Sequence, residues 1–345
     1  MKLGYLIGYS GAKIDLQLDT VKEAEKFGFH SAWVAEAYGS DAISTSAWIL
    51  AHTESIHVGT AIMQMPARTP TATAMAAMSL DELSGGRFIV GIGASGPQVA
   101  EGWYGEAYGR PITRSREYID IMRKVWRREA PLEHQGYHYH IPNKEEGTTG
   151  LGKPLKSILH GNPDIPIYMA SITDAGVSCA AEIADGFFPV WMSPDSFDIF
   201  EPSVNKGFAA RGEGASRAFD VAPFVGCHLN DDIDAARINV KGMLALYVGG
   251  MGARGKNFYN DYTIKLGYEE AAVKIQDLYL AGQKREAMMA VPDQLVDDIA
   301  LVGPRDRIKD HLQRWKEAHK KGHIGSMLIA GASSEAMQLL ADELL

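Results

Sequence analysis

The sequence predicts a (β/α)8 barrel, an α/β fold in which eight parallel strands alternate with helices. Short apolar segments alternate with helical patterns along the chain, and most of these segments are apolar on both faces, as in a parallel sheet. At 345 residues the chain suits one such barrel. We expect a single barrel domain over residues 1–345, with insertions at about 129–162 and 249–290. The alternative is an open doubly wound sheet with a small second domain.

The first half of the chain alternates regularly between strand and helix candidates. Helices are predicted over Asp19–Gly28 and Asp41–Thr53, and a third begins with Thr69 as N-cap and stops at Gly85. We expect Met75 and Met78 of the third helix to lie in the core. The strand candidates are Lys2–Gly8, Ser31–Glu36, Ile56–Ile62 and Arg87–Gly93.

The second half keeps this alternation but has longer interruptions. Residues 129–162 are irregular and too long for an ordinary loop, and residues 249–290 form a second insertion with short helices of its own. The predicted strands are Ile165–Ala170, Gly186–Val190, Asp220–His228 and Ile324–Ala330. The predicted helices are Thr113–Arg128, Asp174–Ala184, Asp195–Arg211, Asp232–Tyr247, Arg305–Lys321 and a last one capped by Ser333.

Composition and charge exclude several function classes. The formal net charge of −9 disfavours nucleic-acid binding, which calls for a basic face. No apolar run approaches the roughly 20 residues needed to cross a bilayer, so we expect no membrane partner. The two cysteines, Cys179 and Cys227, have no metal-ligand spacing, which favours a reducing cytoplasm. The ligand is therefore expected to be a small molecule.

The carboxyl ends of the predicted strands should carry the active site. These ends are mostly small, apolar or hydroxyl-bearing, including Gly8-Tyr9-Ser10, and they suit a flat organic cofactor better than a metal. Tyr9 and Trp191 are candidate walls for a planar ligand. Glu36 contacts the cofactor or relays a proton, or else forms a structural ion pair, because a buried charge needs a partner. His228 is a candidate acid or base.

Two further patterns are weaker indications of function. Gly91–Gly96 matches the Gly-x-Gly-x-x-Gly dinucleotide motif, but the helix and strand that the motif needs do not follow it. Three histidines alternate along the first insertion without a placed carboxylate, so we predict no metal site there: His134, His138 and His140. Arg68, Arg110 and Arg114 are candidates for holding an anionic cofactor tail.

Several blocks in a fixed order carry a resemblance to a known family. They are AEAYGSD (35–41), GTAI (59–62), LDELSGGR (80–87), GIGASGP (91–97), EGWYG (101–105), AEIADG (181–186) and VGP (302–304). Together they resemble the luciferase-like monooxygenase superfamily. Within it, the chain is most similar to the oxidoreductases that depend on coenzyme F420, a deazaflavin, and that are related to methylenetetrahydromethanopterin reductase.

The resemblance implies a fold and a cofactor site. It implies a (β/α)8 barrel with an insertion after the fourth strand and helix, and a non-prolyl cis peptide at Ala61–Ile62. The segment Ala61-Ile62-Met63 would back the deazaflavin ring, and Ala94-Ser95-Gly96 would donate backbone N–H groups to it. The turn Ala170-Ser171-Ile172-Thr173 would receive the phosphate. Many relatives have Gly-Pro where this chain has Ile172-Thr173, and some related dehydrogenases have Asp-His where this chain has Glu36-Ala37.

The resemblance also implies the reaction. The leading hypothesis is hydride transfer between C5 of coenzyme F420 and a small organic substrate, bound near Trp191 under a lid that carries Arg254 and Lys256. The second hypothesis is an FMN-dependent monooxygenase supplied by a separate reductase. The third is a degenerate, non-catalytic flavin-binding barrel. By analogy, a homodimer formed through the helices after the second and third strands is expected.

Overall fold

The structure is a computed structural model that describes residues 1–9, 11–211 and 219–345. Ser10, predicted at the end of the first strand, therefore lies outside the described residues. The strands are β1 Lys2–Ile7, β2 Ser31–Val34, β3 His57–Thr60, β4 Met63–Gln64, β5 Phe88–Gly93, β6 His134–Gln135, β7 His140–Ile141, β8 Ile167–Ala170, β9 Gly186–Phe188, β10 Asp220–Val221, β11 Phe224–Leu229, β12 Ala300–Gly303 and β13 Ser326–Ala330.

The larger sheet confirms the predicted parallel barrel. Its strands follow the order β10-β9-β8-β5-β3-β2-β1-β13-β11-β12. The segment between β10 and β11 joins the two sides of this sheet. Ala222 N donates to Phe187 O at 3.0 Å on the β9 side, and Leu328 N donates to Pro223 O at 3.0 Å on the β13 side. The sheet thus closes on itself, which excludes the open doubly wound alternative.

The helices pack around the barrel. They are α1 Leu18–Lys26, α2 Ala42–Ala51, α3 Pro70–Ser84, α4 Pro97–Gly102, α5 Pro111–Arg127, α6 Asp174–Ile183, α7 Glu201–Ala210, α8 Ile233–Gly250, α9 Phe258–Lys265, α10 Glu269–Leu280, α11 Lys284–Met289, α12 Asp293–Ile299, α13 Arg305–Lys320 and α14 Ser334–Leu344. The predicted N-caps are confirmed, since the side chains of Asp41, Thr69 and Ser333 each accept a backbone N–H of the helix that follows.

The structure corrects the prediction in three places. The strand predicted over Asp220–His228 is divided into β10 and β11, because Pro223 has no N–H to continue the ladder. β12 was not predicted, because its four apolar residues directly follow α12 and merge with its pattern. The first insertion is not wholly irregular, since β6 and β7 form an antiparallel hairpin.

Aromatic and aliphatic side chains fill the inside of the barrel. Trp33, Tyr168 and Phe188 pack against one another with ring centroids 5.2 to 5.6 Å apart. Ile89, Ala222 and Leu328 complete this inner cluster. The barrel is therefore closed below its carboxyl edge, and a ligand has room only at the mouth, where the strands end.

The outer faces of α2 and α3 carry exposed apolar side chains. The core position predicted for Met78 is confirmed, but the one predicted for Met75 is wrong, because its side chain is exposed together with those of Trp48 and Leu83. The homodimer through these helices stays a prediction. Among the described residues, no helix is both long and apolar enough to cross a membrane.

Candidate functional site

The floor of the mouth is formed where β3 passes into β4. The peptide bond between Ala61 and Ile62 is cis, as the resemblance implies. Ala61 N donates to Val34 O of β2 at 2.7 Å, and β4 then pairs with β5. Backbone hydrogen bonds therefore hold the chain on both sides of Ala61-Ile62, the segment between β3 and β4 that we call the bulge, and fix its main chain at the mouth.

Two glycines of β5 let the bulge approach closely. A Cβ atom at Gly91 would lie 1.7 Å from the carbonyl oxygen of Thr60, and one at Gly93 would lie 2.2 Å from Ile62 Cδ1. The hydroxyl of Thr60 donates to Gly91 O at 2.7 Å and accepts from Gly91 N at 2.8 Å. Packing against the bulge therefore accounts for the first two glycines of the Gly-x-Gly-x-x-Gly pattern.

Glu36 lies below this floor in a buried ion pair. Its side chain meets the guanidinium of Arg68 through two hydrogen bonds, of 2.8 and 2.6 Å. Its carboxylate also accepts the backbone N–H of Ala42 at 3.1 Å and that of Gln64 at 2.7 Å. Each carboxylate oxygen therefore accepts two hydrogen bonds. Of the alternatives that the sequence left open, this geometry favours the structural ion pair.

This ion pair stabilises the charged form of Arg68. Burial disfavours the charged guanidinium, but the hydrogen bonds and the charge of Glu36 outweigh it, so the pKa of Arg68 is raised. Because Gln64 directly follows the bulge, the Glu36–Arg68 pair positions the floor rather than offering a free carboxylate to a ligand.

The loop after β5 turns sharply over the mouth. Ser95 has a left-handed backbone with φ of 62°, and Gly96 follows it as the N-cap of α4. Ala94, Ser95 and Gly96 are all half-buried. The expectation that no helix follows the Gly-x-Gly-x-x-Gly pattern is wrong, because α4 begins directly after Gly96, although with six residues it is too short to form an anion site of its own. The donation of backbone N–H groups by this loop to a cofactor stays a prediction.

The loop after β8 leads into the N-terminus of α6. Thr173 caps this helix, with its hydroxyl accepting Gly176 N at 3.2 Å. A Cβ atom at Gly176 would lie 1.9 Å from Ser171 Oγ, so glycine leaves room for that hydroxyl against the helix. Lys265 Nζ lies 2.8 Å from Asp174, the first residue of α6. Two hydroxyls, the N-terminal N–H groups of α6 and a lysine–aspartate ion pair thus lie together here.

His228 lies near the end of β11 and is half-buried. A Cβ atom at Gly331, in the loop after β13, would lie 2.6 Å from its Cε1 atom. Within the described part of the chain its imidazole has no hydrogen-bond partner. Burial disfavours the charged form, so the pKa of His228 is lowered. The imidazole is therefore a neutral, uncommitted acid–base group.

Four aromatic side chains pack together at the mouth, next to the end of β1. Tyr9 and Tyr247 are joined by a hydrogen bond of 3.2 Å between their hydroxyls. The rings of Trp191 and Tyr259 lie with their centroids 5.5 and 4.8 Å from that of Tyr247. Trp191 is buried and has a left-handed backbone with φ of 49°. These four aromatic side chains thus form one packed group, and the role of Tyr9 and Trp191 as walls for a planar ligand stays a prediction.

Four predicted ligand-binding residues have contacts of their own. The side chain of Met63 is buried in the main core, which leaves only its main chain for a ligand, and that of Ile172 is partly buried against the core. Arg254 forms an ion pair with Asp277 on the surface, and Lys256 is exposed next to it. The lid carried by these two cations stays a prediction.

The remaining cations and histidines are tied into the fold. The guanidinium of Arg110 lies 4.4 Å from the ring centroid of Tyr137, and Arg114 donates to Ala107 O at 2.6 Å. The structure places carboxylates that the sequence did not: His134 is 3.2 Å from Asp120, and His140 is 2.9 Å from Glu145. No group of three or more potential metal ligands occurs in residues 1–9, 11–211 and 219–345.

Sequence reasoning did not find three of the residues at the mouth. Tyr247 and Tyr259 lie on α8 and α9, where nothing in the local sequence distinguishes them from core aromatics. Lys265 reaches α6 from a helix 91 residues further along the chain. Only the fold brings these side chains to the mouth.

Comparison with known proteins places this geometry in a family. The family profile of the luciferase-like monooxygenases matches residues 1–320. A Mycobacterium tuberculosis protein with the provisional name coenzyme F420-dependent oxidoreductase Rv3520c is 43% identical over 99% of this chain and 98% of its own length. Among solved structures, the coenzyme F420-dependent tetrahydromethanopterin reductase from Methanopyrus kandleri has a TM-score of 0.76 at 21% identity, covering 99% of this chain and 97% of its own.

A further solved structure shows the same fold. The oxygenating constituent of 3,6-diketocamphane monooxygenase from Pseudomonas putida, solved in complex with FMN, has a TM-score of 0.64 at 17% identity. It covers 100% of this chain and 97% of its own. On the family match and the full-length relative, this chain belongs to the luciferase-like monooxygenase family.

Proposed function

We propose that this protein is an oxidoreductase that uses coenzyme F420 to transfer a hydride to or from a small organic substrate at the barrel mouth. The observation that carries the choice of cofactor is the 43% identity, over almost the whole chain, to a protein with a coenzyme F420-dependent name. FMN is the alternative cofactor, because a neighbour with the same fold was solved in complex with it.

The residues at the mouth fit a planar cofactor with a phosphate. The main chain of Ala61 and Ile62, which follows β3, would back a ring, and the side chain of Ala170, near Gly93, is too small to intrude. The hydroxyls of Ser171 and Thr173 and the N-terminus of α6 would receive the phosphate. When bound, the deazaflavin supplies a hydride donor or acceptor at its C5 atom.

The chain's own residues orient the reactants and hold the proton. Glu36 and Arg68 fix the floor, and Trp191 and Tyr247 shield one side of the mouth from water. Hydride transfer to a carbonyl or imine carbon leaves a negative heteroatom that needs a proton. His228 is the group we assign to deliver it, because its imidazole has no competing partner among the described residues.

The test of this function is a titration of the purified protein with coenzyme F420 and with FMN, followed by fluorescence. We expect micromolar binding of coenzyme F420 and binding of FMN at least about tenfold weaker, a difference of about 1.4 kcal/mol. In Lys265→Met, coenzyme F420 should bind about five- to tenfold more weakly, because Asp174 at the N-terminus of α6 then lacks its cation and its charge opposes the phosphate. Arg254→Met is the matched control, since Arg254 is also paired with a carboxylate but lies away from α6.

The other outcomes of this titration are equally informative. Tighter binding of FMN would replace the proposal with a monooxygenase supplied by a separate reductase. Binding of neither cofactor would support the non-catalytic barrel and would remove the assignment of Ser171 and Thr173.

The proton role of His228 predicts a pH dependence. Burial places the pKa of this imidazole below its usual value of about 6.5. In the reducing direction the imidazolium is the active form, so kcat should fall as the pH rises through this lowered pKa. In the oxidising direction the neutral form is active, and kcat should rise through the same pKa. His228→Asn should lower kcat by about a hundredfold and remove this limb of the profile.

The measurement is the pH profile of deazaflavin oxidation or reduction with the carbonyl compound that the wild-type protein converts fastest. His52→Asn is the control, because His52 is exposed at the end of α2. A His228→Asn profile that keeps the wild-type limb would show that another group transfers the proton.

A further inference from the structure

Large aromatic side chains stand exposed around the mouth. Tyr9, Tyr38 and Trp103 follow the carboxyl ends of β1, β2 and β5, and their exposed fractions are 61%, 66% and 63%. With the more buried Trp191 and Tyr247 they form what we call the aromatic collar. Clustered exposed aromatic rings at one opening are typical of a binding surface, since such area is costly to leave in water.

The collar has two halves that are held in place by their own contacts. Tyr38 and Trp103 lie with ring centroids 6.3 Å apart. Tyr9 is fixed by its 3.2 Å hydrogen bond to Tyr247, which packs edge-on against Trp191 at an interplanar angle of 85°. The two halves follow neighbouring strands, because β1 and β2 pair in parallel and Tyr9 and Tyr38 come after their carboxyl ends. Burial and then Tyr9 raise the pKa of Tyr247. That phenol therefore stays neutral and protonated.

Three of the cations considered for the mouth are paired with carboxylates. Arg68 is paired with Glu36, Lys265 with Asp174, and Arg254 with Asp277. Lys256 is exposed on the loop after α8. The collar itself thus presents ring faces, ring edges and three phenol hydroxyls rather than a fixed charge.

We propose that the aromatic collar binds the substrate, and that this substrate is a neutral, planar compound with an aromatic or conjugated ring system and a carbonyl-type oxygen. This inference rests on the proposed function, because it places the substrate above the floor where the cofactor ring would lie. The rings of Tyr38 and Trp103 stack on or clamp the substrate, and the Tyr9–Tyr247 hydroxyl pair donates a hydrogen bond to its oxygen. The collar therefore selects against an anionic group, which would lose its hydration without gaining a partner.

The test is isothermal titration calorimetry on the full chain, with and without bound coenzyme F420, using three probes. They are 2-acetylnaphthalene, which is neutral and planar, 2-naphthoate, which has the same rings and a negative charge, and cyclohexyl methyl ketone, which is neutral but not planar. We expect 2-acetylnaphthalene to bind at least about tenfold more tightly than either of the others. Tyr38→Leu and Trp103→Leu should each weaken its binding by about five- to tenfold.

Tyr137→Leu is the matched control. Tyr137 is 60% exposed, like Tyr38, but lies on the β6–β7 hairpin against Arg110, and its replacement should leave probe binding unchanged. Thermal unfolding by circular dichroism checks that the variants fold, which we expect because the replaced rings are exposed.

Two results would overturn the proposal. One is equal or tighter binding of 2-naphthoate that is lost in Lys256→Ala, which would assign an anionic substrate to that loop. The other is binding of 2-acetylnaphthalene that does not change in Tyr38→Leu and Trp103→Leu. Collar-dependent binding of 2-acetylnaphthalene in a protein that fails to bind coenzyme F420 would instead support the collar and overturn only the proposed cofactor.

Discussion

Glu36→Gln is expected to lower the free energy of unfolding by about 3–5 kcal/mol, the usual cost of removing one partner of a buried ion pair. The side chain of Glu36 is 2% exposed and that of Arg68 is 17% exposed. Without the carboxylate, the guanidinium stays partly buried with no opposite charge. The amide of glutamine also cannot accept all four hydrogen bonds that the carboxylate accepts, so backbone N–H groups of Ala42 and Gln64 lose strength or partners.

The measurement is urea unfolding of the cofactor-free protein, compared with Glu36→Gln, Arg68→Met and the double variant. The double variant should recover part of the loss, because removing both charges leaves neither one buried alone. Glu182→Gln is the control: its pair with Arg116 is more exposed, with 23% and 41% of the side chains accessible, and should cost less than about 1 kcal/mol.

This measurement also separates the two roles that the sequence left open for Glu36. A residue that only contacts the cofactor or relays a proton would leave the stability of the cofactor-free protein almost unchanged. A positioning residue stabilises the cofactor-free protein directly. It affects cofactor affinity only indirectly, through the main chain that it holds at the mouth. A loss below about 1 kcal/mol in Glu36→Gln would therefore remove the structural role proposed here.

The sequence predicted the framework of the fold because its signals are local. The caps at Asp41 and Thr69 and the stop at Gly85 each depend on residues within one helical turn. The position of the Ala61–Ile62 cis bond followed from a resemblance in motif order, and the structure contains it. Caps, helix stops and motif order can be identified in a single sequence without knowledge of the tertiary contacts.

The sequence could not show which side chains meet across the fold. The partner of Glu36 lies 32 residues away, and the sequence did not identify which cation it would be. Tyr247 reaches Tyr9 across 238 residues, from a helix that has no motif of its own. Long-range packing decides these contacts, and a periodic pattern records only which face of an element is buried. These contacts at the mouth therefore became known only from the structure.

The Gly-x-Gly-x-x-Gly pattern gives the second large prediction. Gly91→Ala is expected to lower the free energy of unfolding by about 3 kcal/mol, at the upper end of the usual cost of overpacking. The new Cβ atom would lie 1.7 Å from the carbonyl oxygen of Thr60, which is backbone and cannot rotate away. Strand β3 or β5 has to move, and the hydrogen bonds between Thr60 and Gly91 weaken as it does.

The same substitution at Gly242 is the matched control and should have the opposite sign. Gly242 lies inside α8, where a Cβ atom would meet only Met288 Sδ at an ordinary 3.7 Å. Alanine there should stabilise the protein by about 0.5–1 kcal/mol, because glycine is the poorer helix former. Both variants are measured by urea unfolding without cofactor. If Gly91 served a bound dinucleotide instead of the bulge, Gly91→Ala would leave this cofactor-free stability unchanged, and packing would no longer explain the motif.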